Sequence, residues 1–262
     1  MPSHAQGGML TPMCEARGIL VLTPVESKRL ISKAVAKLPE VKKALEKGKI
    51  VVGVGSTNAF VAEELLGREI PREKFLAGYV SDGKLRSMPR DERMNPVVLI
   101  DGQVVDISPG AVLKDFESDD VFIKGANAVD HLGNAGVFVA HEFSGTIGEA
   151  LPRLVAVGAH LIVPVGLEKL IPDVMEAVRK CGQKRLDYAM GHPIGIMPLV
   201  NGKVITEIQA LRVLFNVTAT HVGSGGIFGS EGAVSIVIEG SDQEVADAME
   251  FINSLRAARG TP

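Results

Sequence analysis

The sequence predicts an α/β fold with a doubly wound, mostly parallel sheet, and three observations carry that reading. Short apolar, β-branched runs stand at Ile50 to Val54, Val121 to Lys124, Val137 to Ala140 and Leu161 to Val165, as expected of strands covered on both faces. Stretches of helical period lie between them. Each change of period falls on a glycine, a proline or a capping residue. At 262 residues the chain can bury a full core, as one large domain or as a domain with a smaller lobe.

Residues 1 to 17 have no periodicity and read as a loosely held tail. Gly18 to Leu22 add a short edge strand, so 1–22 is set apart from a Rossmann-like domain over 23–190. Thr23-Pro24-Val25-Glu26 is a capping box with proline at the first helical position, opening a helix through Leu30, Ile31, Ala34, Val35 and Leu38. Pro39 breaks it, and a second short helix runs from Val41 to Lys47. The strand from Ile50 then enters a glycine turn, Gly53 to Asn58, and a helix with Phe60, Val61, Leu65 and Leu66 near helical spacing, closed by Gly67.

From Lys74 to Ile107 the pattern alternates. Two Asp-Gly pairs, Asp82-Gly83 and Asp101-Gly102, suit type I′ turns and predict two hairpins forming a β-rich insert over about 74–107. Between them Arg86, Arg90 and Arg93 either close over an anion or belong to a solvated loop that pairs them with Asp91 and Glu92. Ala111 to Phe116 form one or two helical turns. Further strands at 121–124, 137–140 and 161–165 alternate with helices at about 146–157 and 170–180, which predicts ligand sites beyond the carboxyl ends of the strands. Gly191 to Gly195 read as a linker. Residues 191–262 read as a small α+β lobe with an antiparallel sheet, containing a hairpin at 196–205 about Asn201-Gly202, a helix capped by Thr206, strands at 217–222 and 233–238, and a last helix capped by Ser241.

The net charge of -3 gives no reason to expect nucleic acid, and the absence of Trp argues against base stacking. No apolar run reaches the ~20 residues of a membrane helix, and the start lacks signal-peptide regions. Cys14 and Cys181 stand in no metal or redox spacing, which fits free thiols in a reducing cytoplasm. No histidine spacing matches a metal site, and no cofactor is expected.

Four places carry candidate chemistry. In the turn Gly53, Gly55, Ser56, Thr57 and Asn58, backbone N–H groups at a helix start suit a phosphate or carboxylate, while the simpler reading is a ligand-free strand-to-helix turn. Ser144, Gly145 and Thr146 repeat that logic. The glycine-dense run 223–232, with Ser224, Gly225, Gly226 and Glu231, reads as an anion nest or as a bulged hairpin. Asp130, His141 and Glu142 are the candidate proton carriers, and Lys124 can neutralise an anion, although each of these residue types is commonly a hydrogen-bonded or solvated group. Asn58 stands where the dinucleotide pattern G-x-G-x-x-G needs its third glycine, and there is no Walker lysine.

With these residues in view, the chain resembles the superfamily of ribose-5-phosphate isomerase, glucosamine-6-phosphate deaminase and coenzyme A transferases, which includes DeoR-type effector domains and initiation-factor-2B-like isomerases. The resemblance rests on Ser27 to Leu38 before the glycine turn, on Val121 to Asp130, on Gly145 to Gly148 and on Leu161 to Val165. It implies a sugar phosphate or coenzyme A type ligand on Gly55 to Asn58, with Asn127 and Thr146 near its reacting end. It also departs from the family: Asn127 stands where the isomerases keep a catalytic Asp, and an amide cannot abstract a proton from a sugar carbon. The expectations are therefore isomerisation or transfer with Asp130, His141 or Glu142 as proton carrier, or a non-catalytic sensor or assembly subunit. A nicotinamide-dependent oxidoreductase is disfavoured by the missing glycine. The expected partners are a small phosphorylated molecule and further copies of the chain.

Overall fold

The computed structural model describes residues 16–257; Cys14 and most of the expected tail lie outside them. Strand β1 (Ala16–Leu22) leads through Thr23 into α1 (Pro24–Lys37), where the Glu26 carboxylate accepts from the Thr23 N–H at 2.7 Å and from its hydroxyl at 2.9 Å. α2 (Pro39–Glu46) precedes β2 (Lys49–Val52), the glycine turn and α3 (Ser56–Leu66). The two Asp-Gly turns have positive φ at both residues, as type I′ requires, and join β3 (Gly78–Ser81) to β4 (Lys84–Ser87) and β5 (Val97–Ile100) to β6 (Gln103–Val104). Then come α4 (Pro109–Leu113), β7 (Val121–Ile123), β8 (Ala128–Val129), β9 (Ala135–Val139), α5 (Gly145–Val157), β10 (His160–Pro164) and α6 (Val174–Lys180). The chain continues through β11 (Gly195–Pro198), β12 (Gly202–Ile205), α7 (Glu207–Phe215), β13 (Thr218–Gly225), β14 (Ala233–Gly240) and α8 (Asp242–Ala257).

The fold is α/β. A six-stranded sheet in the order β12-β10-β7-β2-β5-β6 keeps its first four strands parallel, and β5 joins β2 antiparallel. The second hairpin of the expected insert is thus an edge of the main sheet. Its central strands are apolar at consecutive positions because both faces are covered. Ile50, Val52, Val121, Ile123 and Ile162 pack into a core with α1, α3, α7 and α8, while Val51, Phe122, Leu161 and Val163 pack into a second core with α4 and α5.

The C-terminal segments do not form a sheet of their own. β11 pairs antiparallel with β9, and β12 pairs parallel with β10, so the hairpin expected at 196–205 is absent. Asn201 does take the left-handed turn, but it hands the chain from one sheet to another. β13 and β14 pair with each other and β14 with β1, so the edge strand expected at Gly18 to Leu22 forms and extends back to Ala16. Their inward residues Leu20, Leu22, Val234 and Ile236 share the first core. α6 begins at Val174, later than expected, because residues 167–169 form a separate 3₁₀ turn after β10.

Candidate functional site

The carboxyl ends of β2 and β7 open into a two-chambered cleft. The first chamber, about 400 Å³, is lined by the α3 start (Gly55, Ser56, Thr57), Lys124 to Asn127, Lys169, and the hairpin of β3 and β4. The second, about 640 Å³, is lined by Arg90 and Arg93, by the α5 start (Ser144, Gly145, Thr146), and by His141 and Glu149. Gly53 borders the second chamber, and Lys124, Val54, Phe138 and His192 border both. The volumes suit a small ligand.

The glycine turn is shaped by its neighbours. A Cβ on Gly53 would stand 3.1 Å from Lys124 Cδ, so the bare glycine lets the lysine side chain cross the end of β2. Gly55 donates to the Phe75 carbonyl at 2.9 Å and accepts from Ala59, leaving the N–H groups of Ser56, Thr57 and Asn58 without a helical partner. Thr57 is 3% exposed, and its Oγ1 has no hydrogen-bond partner among the described residues. Such a buried hydroxyl at the wall of a chamber is a donor awaiting an acceptor. Asn58, fully buried, does something else: its Nδ2 donates to the carbonyls of Gly53 at 2.6 Å and Ile123 at 3.2 Å, tying the ends of β2 and β7 together. It is a strut and does not line the cleft.

Cations dominate the charged residues of the lining. Lys124, Lys169, Arg86, Arg90 and Arg93 border the two chambers against one carboxylate, Glu149, in a chain whose net charge is -3. Arg86 pairs with Asp82 at 3.0 Å and Arg90 donates to Asn95 Oδ1 at 2.7 Å, so neither is spent on Asp91 or Glu92. Lys169 donates to the Ala126 carbonyl at 3.2 Å and lies 3.8 Å from Glu168. The Lys124 backbone N–H donates to the Ile162 carbonyl at 2.9 Å, while its ammonium makes no ion pair or hydrogen bond among the described residues. Burial pulls its ammonium down to about 8, and the charge of Lys169 adds to the effect.

Glu207, on α7, lies behind this wall. It is fully buried; its Oε2 accepts from the Leu167 N–H at 2.9 Å, anchoring the turn that carries Lys169, and its Oε1 has no partner. Burial raises its pKa, outweighing the Ser27 hydroxyl and the backbone N–H groups of Glu207 and Leu167 that lower it. A carboxyl with a raised folded value holds its proton more tightly in the folded chain. Its stabilisation is therefore complete below the unfolded value near ~4.3 and is lost as pH rises through the folded value. Glu207→Gln keeps the acceptor for Leu167 and removes the titration. In urea unfolding across pH 4 to 8, the variant is expected to gain on the native chain as pH rises, by roughly 1 kcal/mol at neutrality. A constant difference at all pH values would contradict this account.

Other sequence candidates lie elsewhere or act differently. Asp130 borders neither chamber; its carboxylate accepts from the N–H groups of Leu132, Asn134 and Val174 and from Asn134 Nδ2, all at 2.9 to 3.1 Å. Burial raises its pKa, but these four donors, the Asn134 side chain first, outweigh it and hold the carboxyl below the usual range, which makes it a poor base. Glu142 is exposed and lines neither chamber. His141 reaches the second chamber, its Nδ1 accepting from the Phe143 N–H at 3.2 Å. Asn127 reaches the first; its Oδ1 accepts from Phe138 N–H at 3.0 Å, and its Nδ2 has no acceptor among the described residues. Ser224, Gly225, Gly226 and Glu231 line neither chamber. Their loop is a bulged hairpin: the register shifts between His221 and Gly223, Ser224 Oγ bonds His221 Nε2, Glu231 accepts from Gly229, and a Cβ on Gly226 would meet the Ser230 carbonyl at 2.0 Å.

Sequence reasoning missed Lys169 and His192. Lys169 follows β10, so the rule that sites gather at strand carboxyl ends was its available signal; His192 carries none. No group of three or more His, Cys, Asp or Glu among the described residues is placed to hold a metal, and no helix there is long and apolar enough to cross a membrane. Comparison of the chain with protein-family models, with curated proteins and with solved structures found no match.

Proposed function

We propose that the cleft binds a small phosphorylated ligand, of the sugar phosphate or coenzyme A type, within a doubly wound α/β protein resembling the sugar-phosphate isomerases and coenzyme A transferases. The observation that carries the reading is the charge of the lining, Lys124, Lys169, Arg86, Arg90 and Arg93 against Glu149, of which Arg90 and Arg93 have no carboxylate partner among the described residues, around chambers into which the starts of α3 and α5 also open. Oriented N–H groups and partly desolvated cations both favour an anion there. The phosphate rests on Ser56 and Thr57, whose unpartnered hydroxyl supplies one more donor. Isomerisation or transfer at this site does not use Asp130 or Glu142. The chain acts as a homo-oligomer in this reading.

Thermal unfolding with ribose 5-phosphate, coenzyme A and inorganic phosphate tests it. At a concentration 100-fold above Kd, a binding member of the set is expected to raise Tm by roughly 5–10 °C. Arg90→Gln with Arg93→Gln should remove most of that rise, and added salt should weaken it. No response to any of the three sinks the reading.

A further inference from the structure

Asn127 cannot act as a base, and among the ionisable side chains of the cleft Lys124 stands apart by lining both chambers with no partner for its ammonium among the described residues. Lys124 is the first residue beyond β7, a central parallel strand, and its side chain forms part of the wall of both chambers. It crosses bare Gly53 and is flanked by Val54, Val137 and Phe138. A lysine that serves the fold as a fixed cation has acceptors around its ammonium in the unliganded chain. Lys124 has none among the described residues, and the charge that acts on it is a second ammonium, Lys169. An amine in a largely apolar wall beside another cation is the arrangement that makes lysine a nucleophile toward carbonyl carbon.

We propose that Lys124 condenses with the carbonyl of a phosphorylated aldehyde or ketone bound in the cleft, forming an imine. This rests on the phosphorylated-ligand reading above. The neutral Nζ lone pair attacks the carbonyl carbon, a C–N bond forms, and the carbonyl oxygen takes a proton to give a carbinolamine. Loss of that oxygen as water, with both amine hydrogens accounted for in the water released, leaves the C=N bond. Nothing is oxidised or reduced, and no other reactant is needed. Protonation of the imine nitrogen makes it an electron sink for the adjacent carbon. Thr57 Oγ1 and Asn127 Nδ2 are unspent donors lining the same chamber for the departing oxygen or the phosphate. The remaining ionisable groups around the amine are Lys169 on the turn after β10, Arg86 on β4, Tyr79 on β3 and His192; the second chamber adds Arg90, Arg93, His141 and Glu149. Among the described residues no carboxylate lines the first chamber, so no ion-pair partner there favours the charged form of Lys124.

The probe is D-glyceraldehyde 3-phosphate, added to the full chain with sodium cyanoborohydride, with unphosphorylated glyceraldehyde in parallel and peptide mapping by mass spectrometry. The expected result is a reduced adduct on Lys124 at least tenfold above the average surface lysine, suppressed by inorganic phosphate and lost in Lys124→Arg. Adducts spread evenly over surface lysines in the native chain overturn the proposal, whether or not the variant folds. If the probe raises Tm but leaves Lys124 unlabelled, the imine is refuted and the binding reading stands. If Lys124 is labelled equally by both aldehydes and no phosphate compound shifts Tm, the imine stands and the phosphate reading falls. Neither labelling nor a shift refutes both.

Discussion

Replacing Asn58 by aspartate is expected to leave the chain unfolded or, at best, to lower its stability by more than about 3 kcal/mol. The side chain is fully buried and its Nδ2 is the donor that joins the Gly53 carbonyl to the Ile123 carbonyl. A carboxylate of the same shape would face two carbonyl oxygens with nothing to offer them, and a domain has only ~5–15 kcal/mol in hand. Asn58→Ala removes the donor without adding a charge and should cost less, roughly 2 kcal/mol. Urea unfolding followed by circular dichroism ranks the three chains. If Asn58→Asp keeps native stability and merely weakens the ligand response, Asn58 belongs to the binding site and the strut is a misreading.

Asp130→Ala should cost about 3 kcal/mol while leaving ligand-induced stabilisation in place. Four donors lose their acceptor: the N–H groups of Leu132 and Asn134 in the turn between β8 and β9, the Asn134 amide, and the N–H of Val174 where α6 begins. The pH dependence runs opposite to that of Glu207. The folded carboxyl titrates below its unfolded value, so the stabilisation is complete above ~3.9 and disappears as pH falls through the folded value. The native chain and the variant should therefore converge in acid. Loss of ligand response in a folded Asp130→Ala chain would instead point to a part in the site.

Local chemistry made the elements legible, and non-local pairing hid where they go. The capping boxes at Thr23 and Thr206 and the two Asp-Gly turns form as read because each is decided within four residues. Asn201-Gly202 carries the same kind of local signal, yet only Asn201 turns left-handed and β11 and β12 find partners in β9 and β10, which no property of residues 195–205 specifies. The same division explains the site. The glycine turn and the α5 start were visible because a strand-to-helix junction has a sequence signature. Arg90 and Arg93 looked like a solvated run because the chamber walls they border, the starts of α4 and α5 and the end of β2, are distant in sequence. Asp130 looked like a base because a buried acceptor and a catalytic one are the same residue until their donors are known. The glycines at 225 and 226 answer to the hairpin's own backbone, a demand that resembles an anion nest in composition alone.

The pairing of β1 with β14 has a consequence for the order in which the molecule is built. Leu20 and Leu22 meet Ile236 and Val234 across that ladder, so β1 has no strand partner until a segment much later in the chain is made. At ~5–20 residues per second of synthesis, β1 emerges on the order of ten seconds before its partner. Over that interval the parallel strands β2, β7, β10 and β12 can assemble from successive neighbours, whereas β1, beside α1, must wait for its ladder partner. The antiparallel sheet is then the closing step of assembly, and α8, packed on it, arrives later still.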